Sequence, residues 1–136
     1  MKKACLYFAA VLALCAVDVS AQTRTLVEEA ARCAGWHDAG EASRIKVGMD
    51  PKPEIAAQSK AKWFALAKQV NPELSLDEME HLARLAATGW APTTDLLFEG
   101  LASKNMDRKT ASALKISSMV RHHCDGVAAE IQNLAR

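Results

Sequence analysis

Residues 1–21, MKKACLYFAAVLALCAVDVSA, carry the three-part pattern of a cleavable export signal, and that pattern decides which cysteines remain to hold a fold together. Lys2 and Lys3 form a positive start, Leu6 to Val17 a short apolar run, and Val19, Ser20 and Ala21 a small-residue cleavage pattern, so the mature chain is expected to begin at Gln22. An apolar run of about twelve residues is too short to cross a hydrocarbon core, so no stable membrane anchor is expected. Cys15 stands where a lipoprotein signal places its cysteine, but Leu14 before it is bulkier than that processing accepts. Cleavage removes Cys5 and Cys15 and leaves Cys33 and Cys124, two thiols that an oxidising compartment pairs. The bridge closes a loop of about 90 residues, removing denatured-state entropy worth on the order of 4 kcal/mol. It requires the two Cα atoms to lie roughly 4.4–6.8 Å apart, and so makes the helices that carry them neighbours. Two lysines before a short apolar run point to a bacterium, and hence to the periplasm, with secretion by a eukaryotic route as the alternative.

Of 17 Lys and Arg and 16 Asp and Glu, only Lys2, Lys3 and Asp18 lie in the signal, so residues 22–136 are neutral overall. Without a basic block, neither nucleic acid nor an anionic membrane surface is expected as a partner. The mature length suits a single domain with one core.

Alanine is abundant, aromatic residues make up 5%, and apolar residues recur at spacings of three and four, which predicts an all-helical bundle. Five helices are expected. The first, about Thr25 to Ser43, carries Leu26, Ala30, Cys33 and His37 on one stripe, with Val27, Ala31 and Ala34 beside it. Gly48, Pro51 and Pro53 end that pattern, and a second helix begins near Pro53 with Ile55, Ser59, Trp63, Leu66 and Val70 inward. It stops at Asn71-Pro72. Ser75 with Glu78 forms a capping box, and Leu74 with Met79 a hydrophobic staple, fixing the start of a third helix with Met79, Leu82, Leu85 and Ala86 inward. Gly89 is expected to cap it. A short fourth helix, capped by Thr93 or Thr94, carries Leu96, Leu97, Phe98 and Leu101 and ends at Asn105. The fifth, about Arg108 to Leu134, carries Ile116, Val120, His123, Val127, Ile131 and Leu134, with Gly126 marking a close crossing or a bend.

Cys33, His37, His123 and Cys124 could be drawn as a zinc site, but adjacent His123 and Cys124 diverge by about 100° on a helix, and oxidation consumes both thiols. A disulfide with incidental histidines is the expected reading, with no metal and no cofactor. His123 is expected in the core, His37 beside the bridge and His122 in solvent. The sequence contains no G-x-S-x-G, phosphate loop, dinucleotide fingerprint, H-E-x-x-H or C-x-x-C-H, so no enzyme is expected. The carboxylate pairs Glu28-Glu29, Asp77-Glu78 and Asp95-Glu99 read as solvated or helix-start charges. Trp36 and Trp90 fit no main stripe. Either they pack from the far side of the bundle, or they are recognition anchors, Trp90 sitting with Thr93 on a turn between two helices.

An exported, neutral, disulfide-stapled helical domain is best explained as a binding module for a protein partner. In type it is similar to small periplasmic proteins that neutralise a cell-wall enzyme or a delivered toxin, such as secretion-system immunity proteins and phage-encoded lysozyme inhibitors. That likeness covers export, size, helices and cysteine bridges, and no motif carries functional positions across. The expected contact residues are Trp90, Trp36 and Thr93. The alternative is a carrier of a small apolar ligand, lined by Trp63, Phe64, Met79, Phe98 and Met119; a third reading is a cell-wall hydrolase built on Glu99 or Glu41.

Overall fold

A computed structural model describes the backbone of residues 2–136 and the side chains of residues 21–136; the side chains on which the export-signal reading rests, those of Cys5 and Cys15 included, lie outside the described set. The chain forms α1 (Lys2–Lys46), α2 (Pro53–Val70), α3 (Leu76–Ala102) and α4 (Arg108–Leu134), with no strand among the described residues.

Local chemistry accounts for most of the boundaries. Pro53 opens α2, where its missing amide is no loss and its fixed φ suits a helix. Ser75 Oγ accepts the Glu78 amide at 3.1 Å at the start of α3, and the staple residues Leu74 and Met79 are both buried. Asp107 accepts the Thr110 amide at 2.8 Å to start α4, and that bond holds its carboxyl below the ordinary carboxylate range. α1 and α3 end alike. The amides of Gly48 and Met49 bond the carbonyls of Ile45 and Arg44, and those of Lys104 and Asn105 bond Leu101 and Gly100. Each ending needs one residue with positive φ, supplied by Gly48 at 75° but by Lys104 at 53°.

Four helices replace the expected five, because α3 runs unbroken through Gly89 and Pro92. Pro92 deprives only the Thr88 carbonyl of its helical donor, and both residues are exposed, so water can satisfy that carbonyl. The opposite face of the same turn is fastened to α1: Trp90 packs against Trp36, and Thr94 is buried against Ser43. Tertiary packing thus outweighs the helix-breaking pair. Thr25, likewise, does not start a helix; its hydroxyl bonds back to the Ala21 carbonyl at 3.0 Å inside α1.

The bundle runs up-down-up-down. Lys60 pairs with Asp38 and the Lys52 amide reaches Glu41, setting α2 antiparallel to α1; Trp90 reaches Arg32 and Thr94 reaches Ser43, setting α3 parallel to it. Gln22 meets Glu130 and Glu29 meets His123, so α4 returns antiparallel. α1 packs against all three others, most extensively against α3, while α2 and α3 scarcely touch. Leu26, Val27, Ala30, Ala31, Cys33 and Ala34 of α1 form the centre of the core, covered by Trp63 and Leu66 of α2, Leu74, Met79 and Ala83, and Val127 and Ile131 of α4.

Several large apolar residues expected inside face solvent instead: Ile55, Leu85, Leu96, Leu101, Ile116 and Leu134. For Leu85 and Leu96 on α3 the cause is how closely α1 and α3 approach. A Cβ on Gly35 would lie 2.6 Å from the Ala83 carbonyl oxygen and 2.7 Å from the Ala86 Cβ, so the interface admits alanine, glycine and threonine where leucine would not fit. Gly100 is equally tight against Thr110. Gly126, expected at a close crossing or a bend, faces open space, which rules out the crossing; Gly89 faces open space too.

Candidate functional site

Cys33 and Cys124 form a disulfide with a Cα separation of 5.8 Å, so the bridge and the contact between the first and last helices are as expected. Cys33 is buried in the core, whereas Cys124 is half-buried. The bridge pins α4 against α1 while leaving a groove on either side of it.

On one side, between α3 and α4, Trp90, Ile116, Met119 and His123 surround an open cleft of about 390 Å³, with Arg32 at its edge. Met119 is 62% exposed and Ile116 37%, so apolar surface faces water here. Trp90 is held rigidly: its ring meets that of Trp36 edge-on with centroids 5.1 Å apart, and its indole N–H donates to the Arg32 carbonyl at 3.2 Å. Both tryptophans are half-buried, and Trp90 stands in mid-helix, not on the expected turn. Thr93, three residues on, is half-buried on the same helix. At the rim, Glu29 accepts from Arg32 at 3.2 Å and lies 2.7 Å from His123 Nε2. His123 is therefore an exposed rim residue, not a core histidine, because its position faces across to Glu29. His122 is exposed, as expected.

On the other side, between α2 and α4, two adjoining clefts of about 250 and 340 Å³ share Trp36, His37, Ile55 and Ser117. His37 lines both of them. Partial burial first, then the nearby Lys62 ammonium, hold its pKa below the usual histidine value. Glu41, at the far end, accepts the Lys52 amide at 2.7 Å and lies 3.9 Å from Arg44, so its carboxylate is occupied in tying α2 to α1. Glu99 is exposed on α3.

Both thiols of the drawn zinc set are spent on the bridge, and among the described residues no three His, Cys, Asp or Glu side chains converge. The five residues named for an apolar ligand lie on three different grooves: Trp63 and Phe98 between α2 and α4, Phe64 and Met79 between α2 and α3, and Met119 beside Trp90.

Of the carboxylate pairs, Asp77 and Glu78 lie in the first turn of α3. Glu28 pairs with Arg24 at 3.1 Å. Asp95 departs from expectation. It lies inside α3, accepts from Ser43 Oγ and from Lys46 Nζ at 2.7 Å each, and is held below the usual carboxylate range by Lys46 first and Ser43 second. With its single proton given to Asp95, Ser43 Oγ accepts from the Thr94 hydroxyl at 2.8 Å, completing a polar network that joins the two helices. Its members lie some fifty residues apart, and no spacing in the sequence reveals it. Comparison with known protein families, with characterised protein sequences and with solved structures gives no match for this chain.

Proposed function

We propose that this is an exported binding protein of the inhibitor or immunity type, acting in the periplasm on a cell-wall enzyme or a delivered toxin. The observation that supports it most is the groove between α3 and α4, where a rigidly seated Trp90 adjoins exposed Ile116 and Met119 with a charged rim of Glu29, Arg32 and His123. A buried-edge aromatic anchor, flexible apolar neighbours and a polar border are the composition of a protein-recognition patch. Export is tested by N-terminal sequencing of protein recovered from the periplasm. A start at Gln22 supports it; retention of residues 1–21 overturns it. Binding is tested by capture from periplasmic extract with the wild type and with Met119→Asp, an exposed change that leaves the core intact. A stoichiometric hydrolase or toxin held by the wild type, released by Met119→Asp and inhibited by the purified protein supports the reading. Equal capture by both removes the groove from it.

The carrier reading keeps one specific support: the groove between α2 and α3, about 280 Å³, is lined almost wholly by apolar side chains, including Phe64, Leu76, Met79 and Ala83. A co-purifying small molecule in the native mass spectrum, lost in Leu76→Asp, an exposed change in the same groove, would favour it.

A further inference from the structure

We propose that the groove between α2 and α4 is a second binding site, for a carboxylate carried on an apolar body, the chemistry shared by an aromatic acid and by the C-terminus of a peptide. Three basic side chains, His37, Lys62 and Arg121, line the same cleft of about 340 Å³. Among the described residues neither Lys62 nor Arg121 has a carboxylate within 4 Å, although other cations nearby do: Lys60 of α2 pairs with Asp38, and Arg44 of α1 with Glu41. Asp125 also lines the cleft, one turn from Arg121, but makes no ion pair with it. Burial first, then Lys62 and Arg121, hold the His37 pKa down against the opposing pull of Asp38, which places both cations near the imidazole.

With its pKa lowered, His37 is largely uncharged near pH 7, so the cleft holds two cations, Lys62 and Arg121, against the single carboxylate of Asp125, and a bound carboxylate balances the excess. The apolar component follows from the walls. Trp36 and Ile55 line both halves of the groove, and the Lys62 ammonium stands 5.1 Å from the centroid of the Trp63 ring, so charge and aromatic surface meet at one place. Ser59 adds a buried hydroxyl without a partner in the same wall, and such a group gains when an acceptor comes within reach. Arginine offers a carboxylate two parallel donors, which makes Arg121 the expected anchor and Lys62 its point-charge complement.

The test is a titration of the full chain, disulfide formed, followed through the indole N–H resonances of Trp36 and Trp63. The probes are phenylacetate and the tripeptide Ala-Ala-Phe, the latter with a free or an amidated C-terminus. Saturable shifts at Trp36 with an acid probe, weakened at least about tenfold in Lys62→Ala/Arg121→Ala, are the expected result. Both replaced side chains are exposed, and Lys68→Ala/Lys109→Ala, with the same loss of charge elsewhere, should keep the wild-type affinity. Tighter binding of the tripeptide acid than of phenylacetate assigns the site to a peptide terminus, and the reverse to a free acid. Equal binding of the amidated peptide, unchanged affinity in the double variant, or no shift up to about 10 mM probe overturns the proposal.

Discussion

At the end of the bundle where Leu26, Trp63, Leu74, Met79 and Ile131 meet, the helices are joined by large side chains packed on an alanine-lined α1. At the other end, where Ser43, Thr94, Gly100 and Thr110 meet, they are joined by small residues and hydroxyl hydrogen bonds, with Lys46 and Asp95 closing the outside. The first kind of join depends on area removed from water and tolerates small shifts. The second depends on a close fit and on polar groups having partners, so it fails sharply when either is disturbed.

The largest expected effect is at the apolar end. Trp63→Ala, at 3% exposure, should cost about 3–5 kcal/mol, read from denaturant unfolding, and a loss below 1 kcal/mol would remove Trp63 from the role given it. At the close-fitting end, Gly100→Ala should cost about 1–3 kcal/mol, because its Cβ would meet the Thr110 side chain. Gly126→Ala, facing open space inside α4, should stabilise by up to about 1 kcal/mol. If those two signs coincide, the contrast between crowded and open glycines fails. Ser43→Ala removes the hydroxyl that links Thr94 to Asp95 and should cost about 1–3 kcal/mol; in Ser43→Ala/Thr94→Val the loss should be less than additive.

Lys104→Gly compares the two helix ends directly. It should stabilise by about 1 kcal/mol, since Gly48 fills the equivalent left-handed position in α1 without the Cβ penalty; thermal unfolding would show it. The smallest effect is on pH dependence. His37 takes up its proton at a lower pH when folded than when unfolded, so the unfolded chain binds more protons below about pH 6.5 and stability falls as the pH drops through that range. His37→Gln should flatten the melting temperature between pH 5 and 7 relative to the wild type.

The apolar end was largely legible in the sequence. Its determinants are local periodicity, the Ser75–Glu78 cap, the Leu74–Met79 staple and two cysteines with only each other to pair with. The close-fitting end was not, because its determinants are residues that mean something else locally. Thr94 reads as a helix cap, Gly89-Pro92 as a break, and Gly35 and Gly100 as ordinary small residues until α1, α3 and α4 are set side by side. The same reason misplaced Leu85 and Leu96: a periodicity argument sends large apolar residues inward, whereas this interface is too narrow for them. For the candidate site, Trp36 and Trp90 stood out in the sequence, but their pairing, the Glu29–His123 contact and the unpaired Lys62 and Arg121 depend on distances between helices.

Because α1 touches every other helix while α2 and α3 scarcely meet, the chain has a fixed schedule of assembly. As it emerges from its N-terminal end, α1 comes first with its apolar stripe bare. α2 and α3 cover two sides of it, with few contacts between them. Cys124 arrives 91 residues after Cys33, so the bridge closes only once nearly the whole chain is out. The disulfide thus marks the completion of folding; a thiol on Cys33 that finds another partner before then has bonded a molecule still lacking its last helix.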